Sequence, residues 1–187
     1  MMACPKGKRC LVVAKDGWTQ AFNKAGLLIF ESMTGLPGGC SASRHSTTIV
    51  DAIRLAADPQ TYYILDVIYA QGMSFLEVDA LSRFAMIQAI AEEAAINTTS
   101  LRPKYRKKAL TFLVPPLCRC TIPAMTAMMA VEHPFEIDGL LFYNDKGWYT
   151  AGYTPLVGWL KPWMLPEVLG VPVLEKVLHL KALNCEF

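Results

Sequence analysis

Two runs enriched in β-branched and aromatic residues, 47–54 and 61–69, flank Ala57-Asp58-Pro59-Gln60, and this arrangement constrains the fold more than any other feature of the 187-residue chain. The intervening Asp-Pro supplies turn chemistry, so the two runs are predicted to fold back on each other as an antiparallel hairpin. Residues 8–14 read as a further strand, Asp16-Gly17 as a turn, and 27–31 as a second strand ending in the Leu36-Pro37-Gly38-Gly39 loop. Another strand is predicted at 110–114. One helix stands out, because Leu76, Ala80, Phe84, Ile87 and Ala91 keep helical spacing, with Glu92 and Glu93 near its end. A short helix over 122–131 starts beside Pro123, and 165–169 form a helical turn. No internal repeat or low-complexity segment is visible. The count of elements favours an α+β fold: mostly antiparallel twisted β-sheets with a few flanking helices.

With 53% hydrophobic residues the chain can bury one substantial core, expected to be a single domain over 1–173 followed by a tail, 174–187. The tail segment 174–183 is weakly amphipathic and is expected to pack on the core or fray; its leucine spacing also resembles a nuclear export signal. A net charge of +2 argues against a broad nucleic-acid groove and for a small ligand held by a few placed cations. The apolar run near the N-terminus, 10–14, is too short for a signal-peptide core, and no run approaches the roughly 18 to 20 residues that cross a bilayer. A soluble, intracellular protein is expected, with its six scattered cysteines as thiols. Cys118 and Cys120 have metal-ligand character, but no second close Cys or His pair accompanies them.

The richest stretch is 134–163. Residues 135–143 have strand composition, Asn144 to Gly147 supply turn chemistry, and 148–160 read as a second extended run. Residues two apart on a strand share a face, so Glu136 and Asp138 point together, as do Val157, Trp159 and Lys161. An indole beside a lysine suits an aromatic base that carries phosphates. A tryptophan in a Leu/Val strand also suits an ordinary core position. The polar stretch 97–108 crowds Arg102, Lys104, Arg106, Lys107 and Lys108 around Pro103 and is expected to be an exposed loop, either a solvated connection or a basic rim that touches RNA phosphates.

Four segments, Cys4-Pro5-Lys6-Gly7-Lys8-Arg9, Gln60 through Val67, 134–143 and Thr154 through Pro162, resemble the cap-binding domain of the snurportin family in order, spacing and composition, and Leu36-Pro37-Gly38-Gly39 and Val168 through Val171 add to the resemblance. That family recognises the 2,2,7-trimethylguanosine cap of spliceosomal small nuclear RNA and carries the assembled particle into the nucleus. Its fold is similar to the nucleotide-binding domain of mRNA capping enzymes and nucleic-acid ligases, whose K-x-D-G-x-R motif attacks an α-phosphate through its lysine. Here the nucleophile position is Cys4 and the acidic position is Lys6, while Gly7 and Arg9 remain. The resemblance therefore implies binding without catalysis and without a cofactor. It implies that Trp159 stacks on the cap base, that Arg9 and Lys24 face the phosphates, and that Cys4 lines the pocket with a small side chain.

Asp66, Glu136 and Asp138 fall near where the related enzymes hold a divalent metal; within this fold they read equally as residues hydrogen-bonded to their neighbours. The resemblance further implies capped small nuclear ribonucleoprotein, importin β and an exportin as partners, no membrane, and shuttling between cytoplasm and nucleus. The family's upstream pocket segment, with its second tryptophan, and its importin-binding helix do not precede Met1 in this sequence, which raises the expectation of a truncated form. Trp18, placed in the 16–19 turn, or Trp148 could supply a replacement aromatic, although both also suit exposed or half-buried structural positions. The competing readings are a residual nucleotidyltransferase and a truncated homologue that has lost its ligand.

Overall fold

A computed structural model of the chain describes residues 1–107, 109–175 and 177. In chain order the strands are β1 (Met2–Pro5), β2 (Gly7–Lys15), β3 (Trp18–Asn23), β4 (Leu28–Ser32), β5 (Thr47–Leu55), β6 (Thr61–Ala70), β7 (Met73–Ser74), β8 (Thr111–Leu113), β9 (Ile137–Tyr143) and β10 (Val157–Leu160). The α-helices are α1 (Ala80–Thr99), α2 (Pro103–Arg106), α3 (Ile122–Ala130) and α4 (Leu165–Leu169). The result is the expected α+β fold, and among the described residues every strand pairing is antiparallel except that of β8 with β6. The chain divides into two compact units: residues 7–114 with 144–156 form the larger, and 1–6, 115–143 and the described residues from 157 onward form the smaller.

In the larger unit the sheet order is β4-β3-β2-β5-β6-β7, with β8 added beside β6. The predicted hairpin forms as β5 and β6, which pair from Ile49↔Tyr69 to Arg54↔Tyr62. Val12, Val50, Ala52, Ile64 and Val67 are buried in this sheet, together with Ile87 and Ile90 of α1. Trp18 corrects the reading of a 16–19 turn. Only Asp16 (φ 53°) and Gly17 (φ 87°) turn, which is the two-residue geometry of a tight hairpin, and Trp18 opens β3 opposite Lys15. The strand expected at 27–31 is thus the third of this meander, β4, with β3 in between.

Helix α1 is longer than its sequence pattern. Asp79 caps it by accepting from the Ser82 amide at 3.0 Å, and it runs on to Thr99 beyond the glutamates that looked terminal. Its buried row is Ala80, Arg83, Ile87, Ile90 and Ala94, alternating steps of three and four, whereas Leu76 lies before the helix and is exposed. The expected loop at 97–108 is in part helical, since 97–99 close α1 and Pro103 begins α2.

In the smaller unit β1, β9 and β10 form a three-stranded sheet with β9 central. Met2, Ala3, Leu140, Leu165 and Val171 are buried in this unit, with Met125, Met128 and Met129 of α3. Strand β9 starts at Ile137, so Glu136 precedes it, and the extended run expected over 148–160 is a strand only at Val157–Leu160. Residues 144–156 instead leave the β9–β10 pair and belong to the larger unit. Two backbone bonds tie them there: the Tyr149 amide donates to Leu76 O at 3.0 Å and the Ala80 amide to Asp145 O at 3.0 Å. Of the segment 174–183, all but residues 174, 175 and 177 lie outside the described residues.

Candidate functional site

The smaller unit carries Trp159 and Cys4. Across the sheet Cys4 pairs with Gly139, and Trp159 pairs with Leu141, two residues further along the same strand. Paired residues and their i+2 neighbours share a face, so Cys4, Leu141 and Trp159 emerge on one side and Gly139 contributes no side chain there. The indole fills that gap. A Cβ added to Gly139 would overlap Cζ2 and Cη2 of Trp159, so one face of the ring is seated directly on β9 backbone. Trp159 as a whole residue is 43% exposed. Cys4, next to the register shift between Cys4 and Pro5, is buried.

Lys161 follows β10 and fulfils the expectation that it lies beside Trp159. Its Nζ donates to Asp138 Oδ1 at 2.7 Å and to Asp138 O at 2.9 Å, and sits 5.7 Å from the Trp159 ring centre and 5.8 Å from that of Trp163. Asp138 therefore neutralises a cation that stands beside the indole. Glu136 is engaged by Lys6, Nζ to Oε1 at 2.8 Å, and this contact raises the lysine pKa. The position that is acidic in the related enzymes thus carries a cation paired with a carboxylate of its own unit.

The larger unit carries Arg9 and Lys24. The β2–β3 ladder ends at Cys10↔Asn23, which leaves Arg9 and Lys24 as the next residue on each side at one end of the hairpin. Lys24 is exposed in a turn whose backbone is tied by Asn23 Oδ1, accepting from the amides of Ala25 at 2.9 Å and Leu27 at 3.0 Å. Arg9 is held from below by Asp51 on β5. Its Nε donates to Oδ1 at 2.9 Å and Oδ2 at 3.0 Å, and Nη2 also reaches Oδ2, while the guanidinium side chain stays 46% exposed. Tyr149 OH donates to the same Asp51 Oδ2 at 3.4 Å; burial first, and then the Asp51 charge, push this phenol up to about 12. Sequence reasoning named Arg9 but missed Asp51 and Tyr149, because nothing in their spacing from Arg9 announces a contact made across strands.

Asp66 stands opposite Asp51 in the β5–β6 ladder, and it too has its own arginine. Arg83 Nε donates to Asp66 Oδ1 at 2.7 Å and Nη2 to Oδ2 at 3.1 Å, with Nη1 bonded to Val78 O and Gly147 O. Both partners are buried, and burial raises the Asp66 pKa despite the arginine. The three carboxylates considered for metal binding are therefore each engaged by a cationic side chain: Asp66 by Arg83, Glu136 by Lys6 and Asp138 by Lys161. Among the described residues no group of three or more His, Cys, Asp or Glu is placed to hold a metal ion, and no helix is long and apolar enough to cross a membrane. Trp18 and Trp148, weighed as replacement aromatics, belong to the larger unit, 44% and 59% exposed.

Residues 1–162 match the family described as Snurportin1, m3G cap-binding domain. Among solved structures the chain is similar to the ligase domain of LigD from M. tuberculosis, with a TM-score of 0.52 at 14% sequence identity. That similarity covers 81% of this chain and 49% of the ligase chain, so this chain spans about half its length. At this identity the likeness is one of fold.

Proposed function

This chain belongs to the Snurportin1 m3G cap-binding domain family, and on that premise we propose that it binds the 2,2,7-trimethylguanosine cap of small nuclear RNA, without catalysis, through the exposed side of Trp159. The seating of the indole on Gly139 is the observation that carries this reading. A ring already fixed against backbone presents a flat surface with little ordering cost on binding. The 7-methyl group leaves guanine positively charged, so stacking gains a cation–π component. The ammonium of Lys161 would oppose that component, and its pairing with Asp138 supports the reading by removing the net charge beside the ring.

The family resemblance assigns Arg9 and Lys24 to the phosphate bridge. Asp51, itself an acceptor for the Tyr149 hydroxyl, fixes the guanidinium of Arg9 from one side, which suits it to a planar, two-pronged contact with phosphate oxygens. Cys4 contributes a small wall where the related enzymes carry a long amine. The two methyl groups on N2 remove donors and add apolar surface, so discrimination comes from apolar contact rather than from a carboxylate. In the cell the bound cap would mark small nuclear ribonucleoprotein for nuclear import, with importin β and an exportin as transport partners and the chain moving between cytoplasm and nucleus.

Tryptophan fluorescence quenching by trimethylated and monomethylated cap analogues tests this reading. Preference for the trimethylated analogue is expected, with Trp159→Ala losing roughly 1–3 kcal/mol of affinity, about 5- to 150-fold. Equal binding of the two analogues, or binding of neither, would overturn it.

A further inference from the structure

The basic run at 102–107 is not used by the cap reading, and the fold gives it company that the sequence does not announce. Trp18, at the start of β3, meets Tyr105 of α2 edge to face, ring centres 6.5 Å apart at 87°. Lys104 Nζ lies 4.6 Å from the centre of the Tyr105 ring. Arg44 Cβ comes within 3.8 Å of where a Cβ on Gly17 would stand, beside Trp18. A shallow depression is lined jointly by Ser41, Ala42, Leu101 and Arg102. These contacts lie within the larger unit and draw Arg44, Arg102 and Lys104 to the surroundings of one exposed tryptophan.

The charge of this region differs from that of the whole chain. No carboxylate occurs between Glu31 and Asp51 or between Glu93 and Glu132, so the modest net charge of +2 conceals a local excess of cations. Three acids border the region, each engaged: Asp16 has Lys15 at 3.9 Å, Glu31 accepts from Gln20 at 2.6 Å, and Glu93 accepts from Asn97 at 3.5 Å. A solvated connection between elements has no need to keep a tryptophan exposed among cations. Cations that track a backbone, interleaved with an aromatic surface for bases, are the ingredients of sequence-tolerant single-strand binding.

We propose that the surface formed by Trp18, Tyr105, Arg44, Arg102 and Lys104 binds single-stranded RNA, with a base stacked on Trp18 and the basic side chains on the phosphates. It is a second RNA contact that does not require a cap. Its evidence and its test are independent of Trp159.

Fluorescence anisotropy of the full chain with a labelled, uncapped ten-nucleotide single-stranded RNA, titrated over a series of salt concentrations, is the experiment. Salt-dependent binding is expected. Trp18→Ala should weaken it about 5- to 150-fold at each salt concentration while keeping its salt slope, and Trp18→Phe should restore most of the loss. Arg102→Gln with Lys104→Gln should flatten the slope of log affinity against log salt by about 0.7 for each phosphate contact removed. Trp159→Ala should leave binding of this uncapped RNA unchanged, so that failure of the cap reading and failure of this one are separately visible. Absence of salt-dependent binding would overturn the proposal. So would an unchanged affinity in Trp18→Ala, which would mean a surface that attracts polyanions without reading bases. Thermal melts of the variants establish that each is folded; Trp18→Phe supplies the decision if the alanine variant is not.

Discussion

At the scale of single residues, Gly139 matters more than its missing side chain suggests. It is the platform on which the Trp159 indole rests, so its substitution acts on the ligand through the ring. Gly139→Ala is expected to displace the indole and cost most of the stacking energy, roughly 1–3 kcal/mol of cap affinity. A double-mutant cycle checks the route: in a Trp159→Ala background the glycine substitution should cost nothing further, and a full additional loss would show that it acts elsewhere. Trp159 and Lys161 were readable as neighbours because strand periodicity of two predicts a shared face. Gly139 was not, since a glycine beside Asp138 reads as a break, and only the register Trp159↔Leu141 reveals what occupies the space above it.

At the scale of elements, α1 and β6 are joined by a buried ion pair that no hydrophobic count finds. Arg83 interrupts the apolar row of α1, and its position makes sense only with Asp66 opposite and two backbone carbonyls to take the remaining protons. Arg83→Met would leave the carboxylate buried without a partner and is expected to destabilise the fold by roughly 3–5 kcal/mol in denaturant melts. The loss should depend on pH. Burial already lifts the folded-state pKa of Asp66, so its contribution to stability is greatest below the ordinary carboxylate pKa of about 3.9 and is lost as pH rises through the folded value. Removing the arginine lifts that value further. The deficit of Arg83→Met should therefore be small near pH 4 and large at pH 7.5, with Asp66→Asn in the same chain recovering much of it; a deficit constant across pH would contradict this account. The hairpin of β5 and β6 was legible from its Asp-Pro turn, whereas β3 was hidden because Trp18 and Thr19 follow a turn of only two residues.

At the scale of the whole molecule, the fold is similar to that of a ligase domain, while the K-x-D-G-x-R positions named in the sequence read Cys4 and Lys6 where that motif has lysine and aspartate. Cys4 is buried and Lys6 is paired with Glu136, so the motif's first position carries a buried thiol where a lysine amine would attack an α-phosphate. Incubation with labelled GTP or ATP and a divalent cation is expected to leave no covalent label on the protein. A stable adduct would require a nucleophile other than the motif position and would revive the enzyme reading. The α+β class followed from counting elements, but the route of the chain did not. Residues 148–156 have the composition of a strand and spend it on docking Tyr149 against Asp51 and Leu76, a use that depends on partners distant in sequence.

That route carries a consequence for how such a protein can change over evolutionary time. The smaller unit is assembled from three stretches of chain and the larger from two, so the polypeptide passes between them four times. Any recombination point or exon boundary between residues 7 and 156 divides both units at once. Neither can be inherited, exchanged or duplicated as a cassette. The two parts form a single heritable object, and new ligand preferences must arise by substitution within it rather than by reshuffling its pieces.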